Sequence, residues 1–305
     1  MSGKAVFIDC PEFLGQLYSA ELRAIVPDLV MNIGDPPGGD TPALLKGAFG
    51  AINDHTFMNE ETLRACDGLK VIVFMGTGAS SYIDVEAAEQ IGIRVRTIRD
   101  YGNRTVAEHA VALMFASARR LAAMDGAIRG GVWETLDGIE LEHKTLGVVG
   151  TGGIGKEMVR LGHALGMKVL AWNRSGVAAD LPCEECALDD LMAGSDVVSL
   201  HLSLNDETEE IIDARRIALM RPQSLLINTA RGGVIDEAAL ITALKEAKIA
   251  HAGLDVFAAE PLPEGHPFLD MANVTLTSHA GFMTREASAR LLQMALEIMR
   301  EELAA

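Results

Sequence analysis

Three side chains carry the chemistry for which this sequence can be read. They are Arg231 in Asn228-Thr229-Ala230-Arg231-Gly232-Gly233, Glu260 in Asp255-Val256-Phe257-Ala258-Ala259-Glu260-Pro261, and His279 in Thr277-Ser278-His279-Ala280-Gly281-Phe282. Singly, each has an ordinary explanation: a surface turn, a loop charge before proline, a satisfied core histidine. Together they suit the movement of a hydride to or from a 2-oxo or 2-hydroxy acid. A guanidinium holds a carboxylate by two parallel hydrogen bonds and polarises the adjacent carbonyl. Hydride arriving at carbon leaves charge on oxygen, so a protonated imidazole must donate there and recover the proton in the reverse direction. A carboxylate beside the imidazole favours its charged form and fixes the ring. The expected roles are therefore Arg231 for binding and polarisation, His279 as general acid/base and Glu260 as its tuning partner.

Each of the three ends or follows an apolar stretch of strand type. From Leu146 onward the sequence predicts six strands, Leu146–Val149, Lys168–Trp172, Asp196–Leu202, Ser224–Thr229, His251–Phe257 and Val274–Ser278, with helical crossovers between them. Six such strands make a doubly wound parallel dinucleotide-binding (Rossmann) sheet, whose ligands lie at the carboxyl ends of the strands. Gly150-Thr151-Gly152-Gly153-Ile154-Gly155 stands between the first strand and a helical stretch from Lys156 to Leu165. Gly150 allows the tight turn, Gly152 lets backbone approach a pyrophosphate, and Gly155 lets helix and strand pack, with Gly153 and Ile154 completing the cradle. The pyrophosphate then rests on unpaired N–H groups at the positive helix end. Thr229 and Ala230, leading into Arg231 at that edge, join the expected cofactor-binding set. After the second strand, Asn173-Arg174-Ser175 replaces the carboxylate that would grip a ribose 2′-hydroxyl. Arg174 and the Ser175 hydroxyl can bind a 2′-phosphate instead, so the expected cofactor is NADP(H). The alternative is NAD, with Asn173 on a plain ribose and Arg174 in solvent.

The first hundred residues alternate strands (Ala5–Ile8, Leu29–Ile33, Gly50–Asn53, Val71–Phe74, Ile93–Thr97) with helices beginning near Glu12, Thr41, Glu60 and Asp84. The expectation is a smaller, flavodoxin-like parallel α/β domain. The expected division is residues 1–100 with the amphipathic helix of 284–305, capped by Thr284, against residues 101–283. Thr105-Val106-Ala107-Glu108 matches a capping box opening a helix of about Val106 to Met124, interrupted by Arg119-Arg120. His109 on its first turn reads as a packed or partly exposed residue. With 43 acidic against 26 basic residues and a formal net charge of −17, the chain disfavours nucleic acid and anionic membranes as partners. Met1 to Asp9 reads as a strand rather than a leader, and the expected location is cytoplasmic. Cys183-Glu184-Glu185-Cys186 lacks the second pair of a zinc site and reads as an acidic surface loop, with no metal expected. Asp236 reads as a helix N-cap, His201 as packed near the nucleotide, Trp133 as an anchor of the connection, and Glu207, Glu209 and Glu210 as solvated.

The sequence resembles the D-isomer-specific 2-hydroxyacid dehydrogenases, a family that includes glyoxylate/hydroxypyruvate reductases, phosphoglycerate dehydrogenases and D-lactate dehydrogenases. The matching pieces are Thr105 to His109, the glycine loop, Leu225 to Gly233, Gly253-Leu254-Asp255-Val256-Phe257 through Glu260-Pro261, and Ser278 to Gly281. The resemblance implies catalytic Arg231, Glu260 and His279, Asp255 near the nicotinamide carboxamide, a substrate domain completed by the C-terminal helix, a cleft that closes, and a homodimer. It also implies that the loop from Gly76 to Asp84 holds the substrate carboxylate on backbone amides, with Thr77 and Gly78 as candidates. This loop departs from the family pattern at Ser81-Tyr82, and His55 after the third strand is read either as a substrate contact or as a loop histidine in solvent. The leading expectation is an NADP(H)-preferring reductase of a small anionic 2-oxo acid such as glyoxylate or hydroxypyruvate. The alternatives are an NAD-dependent dehydrogenase of a larger D-2-hydroxy acid and a non-catalytic dinucleotide-sensing protein.

Overall fold

A computed structural model describes residues 3–305; Met1 and Ser2, at the head of the expected first strand, lie outside the described residues. Two compact units emerge, one running to Gly102 and taking in Met283–Ala305, the other spanning Asn103–Phe282.

In the first unit, β1 (Lys4–Cys10), β2 (Val30–Ile33), β3 (Ala48–Asn53), β4 (Val71–Phe74) and β5 (Arg94–Thr97) form a parallel sheet ordered β2-β1-β3-β4-β5, the flavodoxin-like order. All four residues of β4 are buried, as befits a strand covered on both faces. One cover is the helix Arg285–Ala304, whose Leu291, Leu292, Ala295, Leu296 and Met299 pack with Phe7, Val71 and Val73. Thr284 caps it, its hydroxyl accepting the Ala287 N–H at 3.2 Å. Gly50 lets that helix approach, since a Cβ there would lie 2.5 Å from Met299 Sδ. Near the end of the helix, buried Glu302 pairs with Arg94 and Arg96 of β5.

The second unit holds β6 (Thr145–Val149), β7 (Lys168–Trp172), β8 (Glu184–Glu185), β9 (Val197–Leu200), β10 (Leu225–Asn228), β11 (His251–Leu254) and β12 (Val274–Leu276). They are parallel in the order β12-β11-β10-β9-β6-β7-β8, a doubly wound sheet whose order reverses beside β6. The expected six strands are joined by a seventh. Glu184 and Glu185, read as part of a loop, pair with Leu170 and Ala171 at the sheet edge. Two exposed glutamates carry no apolar alternation, so backbone pairing, with Glu184 bridged to Lys168 of β7 at 3.1 Å, makes this strand.

The helices also correct two expectations. The long helix begins at Asn103, which puts Thr105 inside its first turn and buried, so Thr105 is no N-cap. Glu108 pairs with Arg104 at 2.7 Å one turn back and does not complete a capping box. The helix stops at Ala118, because Arg120 takes φ 52° in the left-handed region, and a second helix, Leu121–Arg129, buries none of its residues. Trp133 is 89% exposed and anchors nothing. No helix among the described residues is long and apolar enough to cross a membrane.

Candidate active site

The glycine turn follows β6 and opens a helix at Gly153, three residues before the expected start at Lys156. Gly150 takes φ 92°, and a Cβ there would lie 2.5 Å from the carbonyl oxygen of His201. A Cβ on Gly155 would collide with the carbonyl oxygen of Gly150, so helix and turn pack as closely as they do only through glycine. Gly152, the N-cap, faces open space within 4 Å, and among the described residues no hydrogen bond engages the first-turn N–H groups of Gly153 and Ile154, the donors an anion would meet at this helix end. Thr229 Oγ1 and His201 Nδ1, at the ends of β10 and β9, are buried without a partner among the described residues. Such orphans cost about 1–3 kcal/mol each unless a polar group meets them. Burial pushes the His201 imidazole down to about 4, and Ser199 Oγ lies 2.8 Å from its Nε2. These features fit a bound dinucleotide.

At the ribose end, Asn173 Oδ1 accepts the N–H of Thr151 at 3.2 Å, while its Nδ2 donates to Ser175 Oγ at 2.9 Å and to the Gly176 carbonyl at 3.1 Å. Asn173 thus ties the glycine turn to the loop after β7. Arg174 pairs with Glu207, both exposed, so Glu207 is not simply solvated. The two lie far apart in sequence, and no local signal links them.

The three chemical side chains end neighbouring strands. Asn228 shapes the turn after β10, its Oδ1 accepting from Ala230 N–H and its Nδ2 donating to the Arg231 carbonyl, both at 2.9 Å. Arg231 Nη1 donates to the Ala230 carbonyl at 2.7 Å. Gly232 brings this loop against the next, because a Cβ there would collide with the backbone of Phe257 and Ala258. That second loop carries Glu260, whose Oε1 accepts the Phe257 N–H at 2.9 Å and whose Oε2 lies 2.6 Å from His279 Nδ1. Glu237 steadies the loop by accepting from Ala258 N–H at 3.2 Å, and Asp236 caps the helix Glu237–Lys245 through Ala239 N–H at 2.9 Å. His279 is 40% exposed, so it is no sealed core residue, and Glu260 engages one ring nitrogen only. Asp255, at the end of β11, is buried. Burial alone would raise its carboxyl, but bonds from His109, Thr277, Ala280 and Gly281 outweigh that and hold it well below the usual carboxylate range. His109 was legible as a helix residue; its tie to Asp255 across the fold was not.

In the first unit, Thr77 and Gly78 follow β4 ahead of a 3-10 turn, Ala79–Ser81. Among the described residues no hydrogen bond engages the N–H groups of Thr77, Gly78, Ala79 or Ser80. His55, after β3, has both ring nitrogens occupied, Nδ1 by Asp54 at 3.0 Å and Nε2 by Asp35 at 2.9 Å. Asp9, fully buried, accepts the N–H groups of Asp54, His55 and Thr56 at 2.6–2.8 Å. The cysteines are all free, and burial raises the thiols of Cys183 and Cys186, with nearby acids adding to it.

Residues 111–281 match the family described as D-isomer specific 2-hydroxyacid dehydrogenase, NAD binding domain. The chain is 35% identical over 310 residues to a glyoxylate reductase of Aeropyrum pernix, covering 96% of this chain and 89% of that one. It is 38% identical over 255 residues to a hydroxypyruvate reductase of Thermotoga maritima, covering 82% and 83%. Among solved structures, an acyclic imino acid reductase in complex with NADPH and D-Arg superposes with a TM-score of 0.86 at 29% identity, covering 99% of this chain and 97% of the other. With its doubly wound sheet, glycine turn and strand-end histidine–carboxylate pair, the chain belongs to the D-isomer-specific 2-hydroxyacid dehydrogenase family and is an NAD(P)-dependent oxidoreductase.

Proposed function

We propose that the protein reduces a small 2-oxo acid of the glyoxylate or hydroxypyruvate kind with NADP(H), using Arg231, Glu260 and His279. The observation that carries this reading is the 2.6 Å contact between His279 Nδ1 and Glu260 Oε2, beside the loop of Arg231. Gly150, Gly152, Gly153, Ile154 and Gly155 hold the pyrophosphate, Asn173, Arg174 and Ser175 the ribose end, and Thr229, Ala230 and Asp255 the nicotinamide end. The nicotinamide, when bound, supplies or accepts the hydride. Arg231 binds the substrate carboxylate and polarises the carbonyl. Glu260 accepts the Nδ1–H of His279 and so leaves Nε2 to exchange a proton with the substrate oxygen. The unpartnered N–H groups of Thr77 and Gly78 offer further donors for an anion.

The unit holding β1–β5 and the helix Arg285–Ala304 is assigned to substrate, and Asn103–Phe282 to the cofactor. Residues Leu121, Ile128, Val132 and Trp133, apolar and exposed, support a homodimer, and we place the enzyme in the cytoplasm. One observation favours an NAD-linked alternative: Arg174 already has a carboxylate partner in Glu207, with which a 2′-phosphate would compete. A non-catalytic sensor has no use for a proton donor so held.

The test is loss of reduced-cofactor absorbance with a panel of 2-oxo acids, using NADPH and NADH in turn. The expected result is turnover with glyoxylate or hydroxypyruvate and a higher kcat/KM with NADPH. A higher value with NADH rejects the cofactor assignment, and binding without turnover across the panel rejects the 2-oxo acid assignment and favours the dinucleotide sensor.

A further inference from the structure

Behind His279 lies a second carboxylate that the proton transfer does not use. His279 stands in the left-handed region at φ 52°. A residue other than glycine keeps that conformation when its surroundings impose it, and here the imposing residue is Asp255. Its carbonyl oxygen accepts the His279 N–H at 2.8 Å, its Oδ1 accepts the Ala280 N–H at 2.9 Å, and its Oδ2 accepts the Gly281 N–H at 2.9 Å. Three successive amides therefore end on one residue. The turn that carries the imidazole cannot swing without breaking bonds to a buried carboxylate.

Asp255 is held from the far side as well. Thr277 Oγ1 gives its single proton to Asp255 Oδ1 at 2.6 Å. Its 3.0 Å contact with His109 Nε2 must then run from the ring N–H to the hydroxyl oxygen. The same Nε2 lies 3.3 Å from Asp255 Oδ1. His109 is thus a donor to this pair, and it stands on the 16-residue helix Asn103–Ala118, which packs along β10, β11 and β12. Gly281 completes the arrangement, for a Cβ there would lie 3.0 Å from Asp255 Oδ2 and 3.5 Å from His109 Cδ2.

We propose that His109 is a positioning residue for the reaction: through Thr277 and Asp255 it locks the left-handed turn from which His279 is aimed. This rests on His279 being the proton donor. Glu260 fixes the ring about its own bonds, while the Asp255 clamp fixes the backbone from which the ring hangs. Both constraints are needed, because a displacement of about 1 Å at a reacting group costs on the order of 100-fold in rate.

The test compares His109→Leu, His109→Gln, Gly281→Ala and His279→Gln with the unaltered enzyme. Steady-state kcat and KM, the solvent deuterium isotope effect on kcat, and the Kd for NADPH from quenching of its fluorescence are measured for each. Glutamine places an amide N–H near the position of the histidine Nε2–H, which leucine cannot do. His109→Leu should lower kcat about ten-fold with a larger isotope effect and a Kd within about two-fold of the original, while His109→Gln restores kcat to within about three-fold. Gly281→Ala, which presses on the carboxylate from outside, should move kcat in the same direction and carries the test if the leucine variant does not fold. An unchanged kcat and isotope effect in the variant that folds, or a loss in His109→Leu that glutamine does not restore, overturns the role given to His109. Preserved turnover in His279→Gln instead overturns the assignment of His279 on which it stands.

Discussion

Of the histidines that follow parallel strands in this protein, His55 and His279 both touch carboxylates, yet their surroundings prepare them for different work. His55 in the first unit has Asp54 on one ring nitrogen and Asp35 on the other. His279 in the second has Glu260 on Nδ1 and is fixed from behind by its own backbone. A ring bound at both nitrogens is a strut between the loops after β2 and β3. One bound at a single nitrogen, with its main chain clamped, keeps Nε2 to exchange a proton. His201 is a third case, bonded to a hydroxyl and pushed down to about 4 by burial, so it stays neutral near pH 7. Residue type alone does not separate the three; the count and sign of the partners does.

The sharpest way to break this comparison is kinetic. His279→Gln should lower kcat about 1,000-fold, within the range expected for loss of a general acid, whereas His55→Gln should stay within about two-fold. Initial rates with the preferred 2-oxo acid decide it, and equal losses in the two variants would erase the distinction.

A smaller effect concerns a charge held for folding rather than chemistry. Glu302 is only 6% exposed and pairs with Arg94 and Arg96, which are about half exposed. Burial would raise its carboxyl, but the arginines, Arg94 foremost, bring it below the usual range. Such a group stabilises above its unfolded pKa and loses that contribution as pH falls through the folded value. Removing one partner of a fully buried pair costs about 3–5 kcal/mol; with solvent screening the arginines, Glu302→Gln should cost about 1–2 kcal/mol. Amide exchange of β4 and β5 in urea at pH 7 reads this locally, and an unchanged exchange midpoint would count against the pin.

The smallest effect belongs to His55. Burial lowers its affinity for a proton, but the bonds to Asp35 and Asp54 and the charge of Asp9 more than offset this, and its pKa is raised. Its stabilising contribution is therefore complete below the unfolded value of about 6.5 and fades as pH rises through the folded value. The stability difference between the original chain and His55→Gln should be under about 1 kcal/mol, given the exposure of the ring. It should be larger at pH 5.5 than at pH 9, and a difference that grew with pH would reverse the argument.

Much of the architecture was legible because parallel strands buried on both faces read as plain apolar runs, as in Val71–Phe74 and Leu225–Asn228. The glycine turn was legible because its spacing has a mechanical reason. What escaped notice depended on partners distant in sequence or on backbone alone. Glu184-Glu185 has the composition of a loop and becomes a strand by pairing with β7. The interruption at Arg119-Arg120 was legible as a charge break, but the left-handed backbone at Arg120 that ends the helix was not, since arginine does not announce it. Thr105 satisfies the letter pattern of a cap, but the helix had already begun at Asn103. The ties of Arg174 to Glu207 and of His109 to Asp255 needed the folded chain, since neither pair leaves a local trace.

The helix Arg285–Ala304 has a consequence for how the protein is made. Its apolar face covers a sheet built from the first hundred residues, yet the intervening segment, Asn103–Phe282, is a compact unit of its own. A ribosome adding about 5–20 residues per second would leave that sheet face bare for roughly 10–40 s while the middle of the chain is synthesised. During that interval the nascent first unit displays Phe7, Val71 and Val73 to any chaperone or neighbouring chain. Its native state can be reached only after the middle unit has emerged.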